Sequence, residues 1–320
     1  ILGSTFLLAL FALVVMVGTL IDPLSDAIVG RTIQVGAPFY NNALIPVGLL
    51  ILAGTTMAPL LRWGESPSVQ QRRCLLGCVT VSCLTIGVAL VFGLRHPVAL
   101  AVAALAALSI SALAASVVHD TRRRKPDTFA TSVLGTLRAG RRQYAGYVVH
   151  LGITCVAIGI TGSSLGTQRL DVDMNEGEVI QWSGRTIRYI ELQQTEQADK
   201  LVAEAVLEVS SPTTSAVTLR PARHLHVLQD EWTTEVDIHS AWYGDFYTIL
   251  HAGLGEGRVA LTFVDNPLIG WIWYGGFLTA AATLAAAWPQ RKRRVANPAS
   301  EFPSLADKDI TPPPARRKAA

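Results

Sequence analysis

Residues 146–165 read GYVVHLGITCVAIGITGSSL, twenty positions without a carboxylate, lysine or arginine and with a single histidine, His150. A helix of that length, rising about 1.5 Å per residue, crosses roughly 30 Å of hydrocarbon, so the stretch predicts a transmembrane helix. Five more stretches have the same character: residues 1–20, 41–61, 74–94, 98–118 and 267–288. Half of the 320 residues are hydrophobic, 16% are charged and the mean hydropathy is +0.35. An ordinary soluble domain carries about 25% charge, so the composition predicts an α-helical polytopic membrane protein of about six transmembrane helices. Residues 1–20 have no basic leader, no small-residue cleavage site and no initiator Met, so they read as a span rather than a secretory signal, and the chain reads as a fragment.

Basic residues set the orientation, because Lys and Arg beside short loops stay on the cytoplasmic side. Residues 62–73 carry three, residues 119–145 carry seven and the tail after Trp288 carries eight. The intervening segments, 21–40, the turn Arg95-His96-Pro97 and the long stretch 166–265, are then expected outside. The N-terminus and the C-terminal tail are expected to be cytoplasmic. That long stretch holds sixteen acidic and seven basic side chains, an acidic excess that argues against a nucleic-acid partner.

Within 166–265 the apolar period shortens from helical to alternating. Glu178-Val179-Ile180-Gln181-Trp182 and Thr186-Ile187-Arg188-Tyr189-Ile190-Glu191 flank Ser183-Gly184, which predicts a hairpin. Further alternating runs at 201–209, 216–219, 233–238, 246–250 and 259–264 give about seven short strands, enough for a small barrel or sandwich. The expected organisation is transmembrane helices 1–5 over residues 1–165, an inserted extracytoplasmic all-β domain over 166–265, transmembrane helix 6 over 266–289 and a disordered tail over 290–320. That tail carries Pro312-Pro313-Pro314 and no apolar period, so it cannot bury enough surface to offset its chain entropy.

His150 is the most informative side chain, since it sits about six residues past the basic edge of its span, roughly 9 Å deep at helical rise. Ionisable groups at such depth are costly and face a bundle interior, where they bind a ligand, a metal or a polar partner. A neutral imidazole can ligate haem iron, and it can equally hydrogen-bond a neighbouring helix. Gly146, Gly152 and Gly159 could leave room for a flat ring or serve plain helix packing. Cys74, Cys78, Cys83 and Cys155 all lie inside apolar spans, form no CxxC and are expected to pack as small hydrophobes.

Other residues carry less. His224 and His226 are two apart and would share a strand face, a spacing compatible with a metal, but exposed polar positions are the expectation for them and for His239 and His251. His96, beside Pro97, reads as a cap. Trp271, Trp273 and Tyr274 fall where the sixth span enters from outside, as an interfacial aromatic belt requires. Pro38, Phe39 and Tyr40 suit either a platform at the membrane surface or an anchor. No phosphate-cradling loop, HExxH, GxSxG or paired intramembrane carboxylate occurs, which disfavours an NTPase, a zinc protease or an ion-coupled transporter.

The run Arg141-Arg142-Gln143-Tyr144-Ala145-Gly146-Tyr147-Val148-Val149-His150-Leu151-Gly152, continuing to Ile158-Gly159-Ile160-Thr161-Gly162-Ser163, resembles a motif of the CcmF/NrfE cytochrome c maturation family. Three more segments agree in order. They are Val35-Gly36-Ala37-Pro38-Phe39-Tyr40-Asn41 with Pro46-Val47-Gly48 and Ala58-Pro59-Leu60-Leu61-Arg62-Trp63; Leu219-Arg220-Pro221 with Thr233-Thr234-Glu235-Val236 and Asp245-Phe246-Tyr247; and Asn266-Pro267-Leu268-Ile269-Gly270-Trp271. The likeness covers the chain to about Trp288 and corresponds to the family's C-terminal half.

That resemblance implies a membrane haem lyase subunit of the bacterial inner membrane, with the β-domain in the periplasm, serving covalent attachment of haem to apocytochrome c. It implies that His150 is an axial ligand of a haem b and that no other metal is bound. The second axial histidine and the Trp-rich segment that presents substrate haem would lie in the N-terminal half, as part of the same protein or a sister subunit. Partners implied are that half, a haem chaperone, apocytochrome c with its thiol-reducing or chaperone subunit, and membrane lipid. Catalytic residues stay unknown. Two readings from other classes remain open: a non-enzymatic scaffold whose β-domain docks a soluble partner, and a haem permease.

Overall fold

The computed structural model describes residues 2–31, 33–57, 69–123, 135, 140–196, 199–212, 214–226, 230–255 and 257–288. Six long helices and ten strands follow in the order α1 (Leu2–Val29), α2 (Ala37–Met57), α3 (Val69–Val91), α4 (Pro97–Arg123), α5 (Arg141–Gly166), strands β1 to β10, and α6 (Gly270–Ala287). The helices α1 to α5 are each long and apolar enough to cross a membrane. The helix α6 has 18 residues, about 27 Å at helical rise, and its first turns carry Trp271, Trp273 and Tyr274. The tail expected to be disordered, the segment Ala58-Pro59-Leu60-Leu61-Arg62-Trp63 and most of the basic loop after α4 lie outside the described residues.

Helix ends depart from the apolar runs where polar residues continue the backbone ladder. The first helix runs past residue 20, through Pro23, to Val29. Gly30, at φ +65°, closes it by donating its N–H to the Asp26 carbonyl, the left-handed cap that glycine adopts without strain. Ser25 ties down the next segment, donating to the Asp22 carbonyl and accepting the Ile33 N–H, both at 2.9 Å. The turn between α3 and α4 is as tight as its sequence implied. Gly93 takes φ +87°, Pro97 opens α4, and the His96 carbonyl accepts the Leu100 N–H at 3.0 Å.

The helices pair mainly as sequence neighbours, α1 with α2, α3 with α4 and, most closely, α5 with α6. Glycines make that last contact. A Cβ at Gly159 would lie 2.8 Å from the Ile272 side chain and backbone N, and one at Gly152 would lie 2.7 Å from the Gly275 carbonyl. With no hydrophobic gain between helices in lipid, such close backbone approach supplies dispersion contact. Ser82 donates to the Ala104 carbonyl at 2.8 Å, stitching α3 to α4.

Between α5 and α6 the chain forms two antiparallel sheets. One is ordered β1–β10–β9–β8; the other is ordered β2–β3–β4–β6–β7, with β5 also paired to β4. Their ranges are β1 Gln168–Met174, β2 Val179–Trp182, β3 Arg185–Glu196, β4 Lys200–Ser211, β5 Thr214–Leu219, β6 Ala222–His226, β7 Glu231–Glu235, β8 Asp237–Ala241, β9 Gly244–Gly255 and β10 Arg258–Pro267. The core between the sheets is Met174, Ile187, Tyr189, Leu207, Phe246, Leu250, Leu261 and Phe263 with smaller neighbours, the large ones 0–1% exposed. A sandwich is therefore the form adopted. The hairpin at Ser183-Gly184 is present, with φ of +48° and +71° at the two turn positions and Trp182 opposite Arg185, the left-handed pair that matches strand twist.

Among the described residues ten strands replace the expected seven or so. Two were not anticipated, β1 and β6, and the run 233–238 divides at Val236, where the chain leaves β7 in one sheet and enters β8 in the other.

Candidate functional site

The helix α5 presents two working faces. Gly152 and Gly159, seven residues apart, take the close approach of α6, so neither holds space for a ring; Gly146 has no atom within 4 Å of where its Cβ would stand. His150 lies one turn from Gly146 and one turn from Thr154, on the side away from Gly152. Thr154 is fully buried; its hydroxyl donates to the His150 carbonyl at 2.9 Å and lies 3.3 Å from Ser109 Oγ on α4. The backbone beneath the imidazole is therefore pinned. The ring is half-buried, and its Nδ1 is buried with no hydrogen-bond partner among the described residues. An orphaned buried polar atom costs about 1–3 kcal/mol, so the residue is furnished for a partner that these residues do not supply.

Toward the basic end of the same helix, Tyr144 donates to Asp120 Oδ2 at 2.8 Å, and His119 Nδ1 lies 3.3 Å from Asp120 Oδ1. This joins α4 to α5 less than two turns from His150. Sequence reading passed over Asp120 because it sits just beyond an apolar run; a Tyr on the facing helix was the available signal. The tyrosine expected at the outer surface has a packing role, as a Cβ at Gly18 would stand 2.7 Å from the Tyr40 ring, so that ring fills a notch in α1. Phe39, beside it at 5.4 Å between centroids, stays 41% exposed.

In the β-domain the histidines separate. His224 was expected to be exposed and is buried at 6%, because β6 lies inside its sheet, paired by β4 on one side and β7 on the other. Its Nδ1 lies 3.3 Å from Lys200 Nζ and 3.4 Å from Glu235 Oε1. His226 Nε2 meets Thr233 Oγ1 at 3.2 Å, so the two histidines answer to different partners. His239 is half-buried. His251 Nε2 lies 2.7 Å from Thr262 Oγ1, which in turn donates to Asp171. That Thr262 bond and the neighbouring Arg169 hold the Asp171 carboxyl below the usual aspartate range. Among the described residues no three His, Cys, Asp or Glu side chains are placed to hold a metal ion. The four cysteines are free thiols, three in α3 and Cys155 in α5; Cys78 is buried and Cys83 exposed.

At the membrane end of the sandwich, Ser163 and Thr167 both bond Asn266 Oδ1, at 2.6 and 2.8 Å, closing the end of α5 onto β10. Arg185, 10% exposed, pairs with Asp265 at 3.0 Å and stacks 4.7 Å from the centre of the Phe246 ring.

Comparison with known proteins places this geometry. Residues 166–267 match the family model described as the CcmF C-terminal beta-sandwich. The chain is 29% identical over 288 residues to the cytochrome c-type biogenesis protein CcmF of Pseudomonas aeruginosa, covering 88% of this chain and 42% of that protein. Against CcmF of Escherichia coli the figures are 24% over 311 residues, 94% and 45%; against the probable cytochrome c-type biogenesis protein NrfE of Escherichia coli they are 25% over 162 residues, 50% and 29%. The chain thus spans less than half the length of these curated relatives. A solved structure titled Cytochrome c Heme Lyase CcmF shares the fold with a TM-score of 0.71 at 21% identity, over 90% of this chain and 45% of that one. The resemblance to the C-terminal half of the CcmF/NrfE family extends along nearly the whole chain, and the chain is an integral membrane protein.

Proposed function

We propose, from that resemblance to the C-terminal half of CcmF, that the chain is the C-terminal part of a haem lyase subunit for cytochrome c maturation. In this reading His150 is one axial ligand of a haem b, and the remaining portion of the protein, or a sister subunit, contributes the other. The observation that carries it is the imidazole itself, a histidine deep in a span with a buried ring nitrogen left unpaired. The residues present fit the group. Gly146 leaves open space one turn away, and the Thr154 hydroxyl, which bonds the His150 carbonyl, lies 3.3 Å from Ser109 Oγ on α4.

Haem iron bound there would supply a one-electron centre whose potential follows ligand identity and burial. The chain's own work is then positional. The tight α5–α6 pair gives His150 a rigid support, and the Tyr144–Asp120 bond fixes the same helix against α4. The β-domain lies in the periplasm of a bacterial inner-membrane protein, with the N-terminus and tail cytoplasmic, in keeping with the distribution of basic residues. Its acidic surface suits docking of apocytochrome c, of a haem chaperone or of the subunit that keeps the apocytochrome thiols reduced. The test is the haem content of membranes containing the chain with its N-terminal counterpart. His150→Ala is expected to remove a b-type haem while insertion and β-domain folding persist. Unchanged haem would overturn the assignment.

A further inference from the structure

The hairpin turn between β8 and β9 carries Trp242 and Tyr243, and the strand register fixes where it lies. Ala241 pairs with Gly244, Gly244 pairs with Pro267, and Pro267 ends the strand that leads into α6. Two bonds lock the turn to that junction. The Leu268 N–H donates to the Tyr243 carbonyl at 2.9 Å, and the indole N–H of Trp271, in the first turn of α6, donates to the Trp242 carbonyl at 3.0 Å. Leu268 is held at φ +59°, a conformation that a non-glycine residue keeps only when its surroundings dictate it. The tip of the hairpin is therefore level with the first turn of α6.

The side chains at that level are aromatic and uncovered. Trp242 is 70% exposed, and Trp273, Tyr274 and Phe277 on α6 are 76%, 57% and 79% exposed. The domain is acidic as a whole, yet residues 238–244 contain no carboxylate, lysine or arginine. A ring with an apolar body and one polar N–H has its lowest energy at the boundary of headgroups and acyl chains, where tryptophan concentrates.

We infer that the β8–β9 turn is a second membrane contact of the β-domain, with Trp242 seated in the headgroup and upper acyl zone of the outer leaflet beside the start of α6. The occupant of this surface is lipid. The hairpin adds a point of attachment to the two covalent ones at α5 and α6, and so sets the domain's tilt over the bilayer. The inference rests on α6 spanning the membrane and does not depend on haem.

The full chain, reconstituted in phosphatidylcholine vesicles, tests it by tryptophan emission. Subtracting the spectrum of Trp242→Phe from that of the unaltered chain isolates Trp242, and the substitution leaves the backbone carbonyl that Trp271 uses. Phosphatidylcholine brominated on the upper acyl chain is expected to abolish most of the difference emission relative to unbrominated lipid, while acrylamide leaves it nearly intact. Trp232→Phe, on the exposed strand β7, gives the opposite pattern as a control. A Trp242 signal lost to acrylamide and spared by bromine would place the turn in water. A signal spared by both would mean that protein covers it. Either result overturns the inference.

Discussion

Tyr189 is 0% exposed in the sandwich core, and its hydroxyl has no partner among the described residues. Burial pushes the phenol above its ordinary range, as expected of a group removed from water, with Glu176 and Glu191 adding to the effect. Tyr189→Phe removes the orphaned group and keeps the ring, so thermal unfolding of the β-domain is expected to show a gain of about 1 kcal/mol. Glu178 illustrates the reverse case. It accepts the Asn175 backbone N–H at 2.8 Å and its side-chain amide at 2.9 Å, which hold the carboxyl below the usual glutamate range. A carboxyl lowered by folding contributes stability above its unfolded value, and that contribution is lost as pH falls through the folded value. The unaltered domain should thus lose more stability than Glu178→Gln between neutral pH and about pH 3, below the ordinary glutamate value of about 4.3. Parallel melts across that interval measure it, and equal losses would deny the bond any role. His150 belongs to this scale too. The sequence singles it out because one imidazole in an apolar span costs energy without a partner, and the structure leaves its Nδ1 buried and unpaired among the described residues. Burial of His224 was not legible, because it depends on β6 acquiring neighbours on both sides, one of them a strand that follows it in sequence.

At the scale of elements, counting apolar residues locates the length that crosses hydrocarbon and misses the helix that continues beyond it. The extension of α1 to Val29 is stabilised by polar turns that such a count excludes. Strand errors have equally local causes. The strand β1 begins directly after α5, so its Leu170 and Val172 alternation is hidden by the span before it, and β6 follows Pro221 with two histidines in five residues. Val236 lets one alternating run serve two sheets, a corner that period alone does not reveal. The glycines of α5 gave two readings from sequence, and the structure divides them by face: Gly152 and Gly159 serve packing, and Gly146 does not. Gly159→Leu should therefore force α5 and α6 apart at a cost of about 1–3 kcal/mol, as overpacking does. Its thermal midpoint in detergent should fall, while Gly146→Ala leaves the midpoint unchanged. Equal effects at both positions would remove the distinction between the faces.

At the scale of the molecule, helices too apolar for water and a sandwich too acidic for nucleic acid occupy one chain, joined where Asn266 binds the end of α5. That division was readable from composition, because charge and hydropathy separate along the sequence before any contact is known. The rest of the proposed site was not, since the chain spans 42% of the length of its Pseudomonas aeruginosa relative and the proposal takes the second haem ligand from the remainder. The measurement that bears most directly on the account is a reduced-minus-oxidised absorbance spectrum. It would be taken on the purified chain alone and together with its N-terminal counterpart, each with and without His150→Ala. A b-type spectrum that requires both parts and disappears with His150→Ala is the predicted result. A spectrum that survives His150→Ala, or no haem in any of the four samples, would contradict the haem-ligand role and leave the chain a membrane scaffold for its β-domain.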